Sequence, residues 1–388
     1  MTCSGPLSGI TVVDLSKVLA GPFCTMILAD LGARVIKVEV PETGDDSRHF
    51  GPFINDVSAY FASINRGKES ITLNLKADHD RAIFEKLLEK ADVLVENYRP
   101  GVMEKLGFGW DVLHGRYPRL IYAACSGFGH SGPYSLRAAY DMVVQGMGGI
   151  MSITGHKDCG PTRVGTSVGD ITAALYTTIG ISSALYRRGI SGEGVKIDVA
   201  MMDCQVSILE NALARYFSTG EIPGPLGARH PSIAPFEVYR TRDSYIVIAA
   251  GNDVLFSKLA NALDRPELLD NPHFATNPER CHNVDELKGE IEKSLLLKDT
   301  AEWLSIVDGA GVPCGPLNNV RNVVEDPHVK ARNMIIETKD DRGTVMKMAG
   351  NPIKMSGYDD PVSRQPAPAL DGDRERILSE IGMAECQK

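Results

Sequence analysis

Residues 10–40 read ITVVDLSKVLAGPFCTMILADLGARVIKVEV, and this stretch decides the fold. Ile10 to Leu15 is a short apolar run rich in β-branched side chains, as in a buried strand. Gly21-Pro22 then opens a helix running to about Leu31. Proline sits at a first-turn position, where its missing N–H costs nothing, and Gly32 marks the stop. Residues 33–40 form a second strand. A helix returning between two such strands implies a crossover and parallel pairing.

The same order continues outward. A strand is expected over 70–75, a helix over 78–90, and strands over 91–96 and 120–124. The pattern predicts a doubly wound, Rossmann-like α/β layer. From Gly169 a nearly continuous apolar helix runs to about Tyr186, followed by a turn at 189–194 and a strand over 195–199. A helix is then expected from Met201 to about Phe217. The breakers between 219 and 227 read as a linker. The chain divides accordingly into 1–218, the linker 219–227, a smaller α+β unit over 228–325 with a strand at 245–250, and a tail over 326–388.

Length and composition narrow the classes. A chain of 388 residues exceeds what one core usually holds, which agrees with two domains. A net charge of -9 opposes general nucleic-acid binding, although local cations and helix ends can still take phosphates. The eight cysteines are spread without a CxxC pair, which opposes a disulfide framework or a zinc site and fits reduced thiols in the cytoplasm. The opening Met1-Thr2-Cys3-Ser4-Gly5-Pro6 lacks the basic and apolar regions of a secretory signal, and no stretch is long and apolar enough to span a bilayer.

The chemistry-bearing motifs are informative first by absence. G-x-G-x-x-G, the P-loop, the G-x-S-x-G elbow and H-E-x-x-H are all missing, so a nicotinamide oxidoreductase loses its main support. Asp170 stands out because it follows Gly169 at the start of a very apolar helix. The simpler role is an N-cap. The same position favours an ionised carboxylate, which is the form that attacks an acyl carbonyl.

Several segments, in order, resemble the class III CoA-transferase family. They are Asp14-Leu15 with Ala20-Gly21-Pro22, VIKVE at 35–39, NRGK at 65–68, ADVLVENYRP at 91–100 and Lys105-Leu106-Gly107. SGFG at 126–129, GTSVGD at 165–170, Arg188-Gly189 with Gly192-Glu193-Gly194, VKIDVAMMD at 195–203 and Gly311-Val312-Pro313 continue the match over essentially the whole chain. The likeness is greatest to members acting on acetyl-CoA and oxalate, near the formyl-CoA transferase branch. It implies an interlocked-ring homodimer whose large domain is completed by residues 326–388. No tightly bound cofactor and no metal are implied. Coenzyme A would enter as substrate and product, and as part of a thioester on the catalytic Asp170. The partners are an acyl-CoA and a small carboxylic acid.

By the same resemblance, the CoA-contacting positions fall on Lys17, Val18, Lys76, Asn97, Tyr98, Arg99, Lys105 and Tyr140. Arg99 and Lys105 suit the phosphates, although a lone surface cation is more often only solvated. Gly251-Asn252 stands where the formyl-CoA branch has a glycine-rich lid, and its N–H groups or the Asn252 amide could serve an oxyanion. Leu19, Phe50 and Val40 depart from that branch's glutamine, tryptophan and arginine. Leu19 and Phe50 would suit a donor methyl, as in acetyl-CoA. A racemase of the same fold would need a second proton-transfer group where this chain has Tyr140, a poor base near neutral pH. A non-catalytic CoA-binding protein is the remaining alternative.

Overall fold

The computed structural model describes residues 5–384. Met1–Ser4, on which the signal reading rests, and Glu385–Lys388 lie outside the described residues, as do Cys3 and Cys386. The chain forms two compact units. The first takes in residues up to Met151, then Arg163–Thr219, and again from Pro327; the second is Ser152–Thr162 with Gly220–Asp326. Residues 152–162, expected inside the 1–218 domain, therefore group with the second unit.

In the first unit, six strands pair in parallel. They are β1 (Thr11–Asp14), β2 (Arg34–Glu39), β3 (Glu69–Thr72), β4 (Val93–Glu96), β5 (Ile121–Ser126) and β6 (Lys196–Ala200). Their order in the sheet is β3-β2-β1-β4-β5-β6. The register pairs Val12 with both Val35 and Val93. The helices that matter for the site are α1 (Ala20–Asp30), α2 (Asp78–Lys90), α3 (Asp141–Met147), α4 (Val168–Ser191) and α5 (Met201–Ser207).

Both faces of this sheet are covered, which is why its strands read as apolar runs and not as alternation. Val13, Ile36, Ile71 and Leu94 pack on one face against Ile83, Phe84, Leu87 and Leu88 of α2. Val12, Val35, Val93 and Ile121 pack on the other against Cys24 and Leu28 of α1 and Ala174 and Ile181 of α4. Small side chains along α4, including Ala173, Ala174 and Ala184, let it lie close to the sheet. Its buried Thr177 and Thr178 satisfy their hydroxyls on the carbonyls of Ala173 and Ala174, at 2.7 and 2.9 Å.

The returning tail protects the sheet edge. The N–H groups of Ser70 and Thr72 on β3 donate to the carboxylates of Asp373 and Asp371, at 2.9 and 2.6 Å. In the second unit, Phe236–Arg240, Tyr245–Ala249 and Cys314–Pro316 form an antiparallel sheet around a core of Tyr239, Ile246, Ile248, Phe256 and Trp303.

Two expected boundaries move. The helix expected to stop near Tyr186 runs to Ser191 and ends on Gly192 at φ 79°, so the first half of the expected 189–194 turn is helical. Arg188 explains part of this, since it is buried and paired with Asp92 at 2.8 Å. The helix expected from Met201 to Phe217 is two helices, Met201–Ser207 and Asn211–Thr219. The break includes Glu210 at φ 28°, with neither glycine nor proline to announce it.

Candidate active site

The strand order reverses direction between β1 and β4, and open parallel sheets bind ligands outside the strand ends at such a switch point. Here the loop after β1 and the loop after β4 are joined directly. The Lys17 N–H donates to Asn97 Oδ1 and Asn97 Nδ2 donates to the Lys17 carbonyl, both at 2.8 Å. Lys17, Val18, Asn97, Tyr98 and Arg99 are thus gathered at one end of the sheet. Val18 adopts φ 65°, a left-handed conformation that a β-branched residue rarely takes. Its N–H donates to the Asp45 carboxylate at 3.1 Å.

Asp170 is the third residue of α4, not its N-cap. The N-cap position is Ser167, whose side chain makes no capping bond. The capping role passes to a carboxylate from another element. Asp141, the first residue of α3, accepts the Gly169 N–H on Oδ1 at 2.9 Å, and the Gln145 amide on Oδ2 at 2.8 Å. The fully buried Gln145 also accepts the Val164 N–H at 2.9 Å, so α3 grips the segment that leads into α4. Arg163 reaches Asp141 at 3.5 Å.

Asp170 itself has no hydrogen bond to its carboxylate among the described residues. Burial and then the neighbouring charge of Asp141 push its carboxyl up to about 7. A half-shielded, unpaired carboxylate costs stability and gains reactivity, a combination typical of functional sites. Gly169 makes the arrangement possible, since a Cβ there would stand 2.7 Å from Val144 Cγ2 and 3.0 Å from Asp141 Oδ1. Gly169→Ala should displace Asp141, cost about 1–3 kcal/mol, and lower activity more than melting temperature alone explains. A thermal melt beside a transfer assay checks this.

A shared apolar cluster ties these parts together. Ala20 of α1, Cys125 of β5, Val144 of α3, Ala173 of α4 and Met201 of α5 pack together. Tyr60 lies in the helix Ala59–Asn65. Its phenol is pushed up to about 12 by burial and then by the charges of Asp170, Asp45 and Asp141, so it senses both the switch-point loop and α4. Phe50 meets the Tyr60 ring edge-on at 5.9 Å. Leu19 is buried, so its side chain is largely taken up by packing.

Beside the switch point lies Glu96, at the end of β4. It accepts the Tyr98 N–H at 2.7 Å and the Tyr122 hydroxyl at 3.0 Å, and burial raises its carboxyl to about 7. Tyr60, Asp141, Gln145 and Glu96 were not singled out by sequence reasoning. The detectable signal was a charged residue inside a strand buried on both faces, as at Glu96.

The other expected contact residues are less gathered. Lys76 and Lys105 are exposed, one just before α2 and the other ending the short helix Val102–Lys105. Tyr140 is 74% exposed beside Asp141, with its side chain free to meet a ligand. Gly251 and Asn252 belong to the second unit. Asn252 Oδ1 caps the helix Asp253–Ala262 by accepting the Leu255 N–H at 2.9 Å, and a Cβ at Gly251 would meet nothing within 4 Å. Among the described residues, no group of three metal-ligating side chains gathers and no helix is long and apolar enough to cross a membrane.

Comparison with known proteins finds relatives that match nearly the whole chain. The chain is 48% identical over 99% of its length to an acetyl-CoA:oxalate CoA-transferase from Acetobacter aceti, covering 97% of that protein. It is 37% identical over 97% of its length to a human succinyl-CoA:glutarate CoA-transferase, covering 86% of it. Among solved structures, a CAIB/BAIF family protein from Brucella suis superposes with a TM-score of 0.85 at 40% identity, covering 97% of this chain and 99% of that one. Residues 7–374 match CoA-transferase family III, and the chain belongs to that family.

Proposed function

We propose that this enzyme moves CoA from acetyl-CoA to oxalate through a thioester on Asp170. The observation that carries the reading is the state of Asp170, a carboxylate held near neutrality in its proton affinity and left without a hydrogen bond. Its Oδ attacks the donor carbonyl carbon, the C–S bond breaks, and CoA leaves as the thiolate with an aspartyl-acetyl anhydride formed. The thiolate attacks the aspartyl carbonyl, releasing acetate and leaving aspartyl-CoA. An oxalate oxygen attacks that carbonyl, displacing the thiolate and forming a second anhydride. The returning thiolate takes the oxalyl group and frees the Asp170 carboxylate. Each step exchanges one activated acyl bond for another, so no barrier carries the whole exchange.

The switch-point loops, with Lys17, Val18, Asn97, Tyr98 and Arg99, are the CoA-binding side in this reading, and Lys76, Lys105 and Tyr140 complete it. Gly251 and Asn252 remain the lid and oxyanion candidates. The acetyl and oxalate choice follows the A. aceti relative; the human relative supports succinyl-CoA and glutarate as the second reading. We further read the enzyme as an interlocked homodimer, with 326–388 completing the large domain. Exposed Leu175, Ile179, Tyr186 and Ile190 along α4 offer the apolar surface such an assembly would cover. The free cysteines fit a reducing cytoplasm.

The test is to incubate the protein with acetyl-CoA and oxalate and follow CoA esters by chromatography and mass, with formyl-CoA and succinyl-CoA as alternative donors. Oxalyl-CoA is the expected product. Preference for formyl-CoA or succinyl-CoA would move the donor assignment, and no exchange with any pair would end the reading. The nucleophile must be ionised, so kcat/KM should rise with pH along a single-group curve centred near the Asp170 value of about 7. A profile flat from pH 5 to about 9 would argue against Asp170 as the attacking group.

A further inference from the structure

The turn after β1 does without the glycines that such turns usually carry, and its backbone is held instead by side chains from other elements. The Ser16 N–H donates to Asp14 Oδ1 at 2.9 Å, and the Ser16 hydroxyl donates to the same oxygen. The Ser16 carbonyl accepts the Lys37 ammonium at 2.7 Å. Both backbone polar groups of Lys17 are bound by Asn97, and the Val18 N–H goes to Asp45. The loop Ser16–Val18 is fixed without a strand or helix partner.

Two buried ions carry the central part of this grip. Lys37 and Asp45 have no exposed side-chain surface and pair at 2.9 Å. Asp45 is itself fastened by the Ser47 N–H and hydroxyl, at 2.9 and 2.7 Å, and its own N–H donates to Glu39 Oε2 at 2.9 Å. Glu39 in turn is paired with Arg48 at 2.7 Å. A second buried cation, Lys68, braces Asp14 at 3.0 Å and also donates to the Pro22 carbonyl and Asn65 Oδ1.

Burying a charge pair is rarely the cheapest route to stability, since apolar residues of similar volume serve as well or better. What Lys37 and Asp45 do that apolar residues could not is bind a carbonyl and an N–H two residues apart on one loop. They thereby hold Val18 in a left-handed conformation that its branched side chain opposes. Strain of this kind is kept where a ligand needs a fixed surface.

We propose that Lys37 and Asp45 are positioning residues for coenzyme A, acting through the Ser16–Val18 loop. The proposal rests on the CoA-transferase reading above, in which that loop is part of the CoA site. Replacing both by neutral residues of similar size, Lys37→Met with Asp45→Asn, leaves no unpaired buried charge and keeps an acceptor for the Val18 N–H. The Ser16 carbonyl loses its cation, and the loop gains freedom.

The measurement is calorimetric binding of free CoA to the full-length protein, beside steady-state transfer and thermal melts. The expected result is CoA binding weakened on the order of tenfold or more, a matching rise in the acyl-CoA KM, and kcat at saturation within about threefold of wild type. Adding Val18→Gly, which removes the backbone strain, should recover much of the lost affinity. A purely structural pair would lower the melting temperature and leave the KM of the folded protein unchanged. Wild-type binding that survives in the folded double variant overturns the positioning role alone. If the double variant does not fold, Asp45→Asn with and without Val18→Gly decides by the same affinity comparison, and equal affinity to wild type overturns the proposal. Failure of the wild type to bind CoA would overturn both this inference and the functional reading.

Discussion

Asp170→Asn is expected to abolish CoA transfer while making the protein more stable above neutral pH. The amide keeps the volume of the carboxylate and has no hydrogen bond to lose, because the Asp170 carboxylate makes none among the described residues. It cannot form the anhydride, so the loss should be on the order of 10³-fold or more. The stability effect follows from linkage. The Asp170 carboxyl is raised from 3.8 to about 7, first by burial and then by Asp141. The folded state therefore holds a proton that the unfolded chain has released over that interval. Stability falls as pH rises from about 3.8 to about 7 and changes no further from this group above it. The neutral variant escapes the fall. Melting curves should converge near pH 4 and separate at about pH 8, with the Asp170→Asn protein the higher by a few degrees. Mass analysis after incubation with acetyl-CoA should find an acyl or CoA adduct on wild type and none on Asp170→Asn. A variant that keeps transfer, or that melts lower than wild type in the alkaline sample, would mean that Asp170 is a structural residue and not a strained nucleophile.

The parts of this molecule that were legible in its sequence are those set by local pattern. The β1-α1-β2 unit could be read because each strand is a bounded apolar run, and a proline and a glycine mark the helix ends. Asp170 was visible because it interrupts apolar sequence at a helix start. What could not be read is the pairing across distance. Nothing in residues 70–75 says that this strand lies outside β2, or that the chain then crosses to the other side of β1; strand order depends on how long crossovers pack.

The support of the site was hidden for the same reason. Asp141 caps a helix carried by a later segment, Asp45 holds a residue far upstream of it, and Asn97 joins two loops from different strands. Each of these links is a side chain meeting a backbone group, which leaves no periodic trace. A partial signal did exist. Lys37 and Glu39 in β2, Asp14 in β1 and Glu96 in β4 are charges inside strands that are otherwise apolar and buried on both faces. Such charges must find partners within the fold, and here they find them at the ends of the strands, next to the switch point.

Gly21→Ala should be among the most damaging single-methyl changes outside Asp170, and it tests how tightly the switch-point turn is built. A Cβ at Gly21 would overlap Cβ and Oγ of Ser16 and come within 3.6 Å of Asn97 Cγ. Ser16 cannot yield easily, because its N–H is bound by Asp14, its carbonyl by Lys37, and it is 1% exposed. Relief must come from moving the first turn of α1 or the loop, and either movement disturbs the Lys17–Asn97 link. The expected cost is about 2–4 kcal/mol, seen as a melting point lower by roughly 5–10 °C. CoA affinity should fall as well, even in the fraction that remains folded. Ser16→Gly removes the atoms that the new methyl would strike, so the double variant should melt higher than Gly21→Ala alone. That reversal gives a coupling energy in the range of about 0.5–3 kcal/mol for residues in direct contact. Because Ser16→Gly also deletes the hydroxyl bond to Asp14, recovery should be incomplete, and CoA affinity should recover less than the melting point. Strictly additive effects of the two substitutions would show that the turn accommodates the methyl by moving elsewhere, and that its geometry is less tightly specified than the side-chain grip on Ser16–Val18 implies.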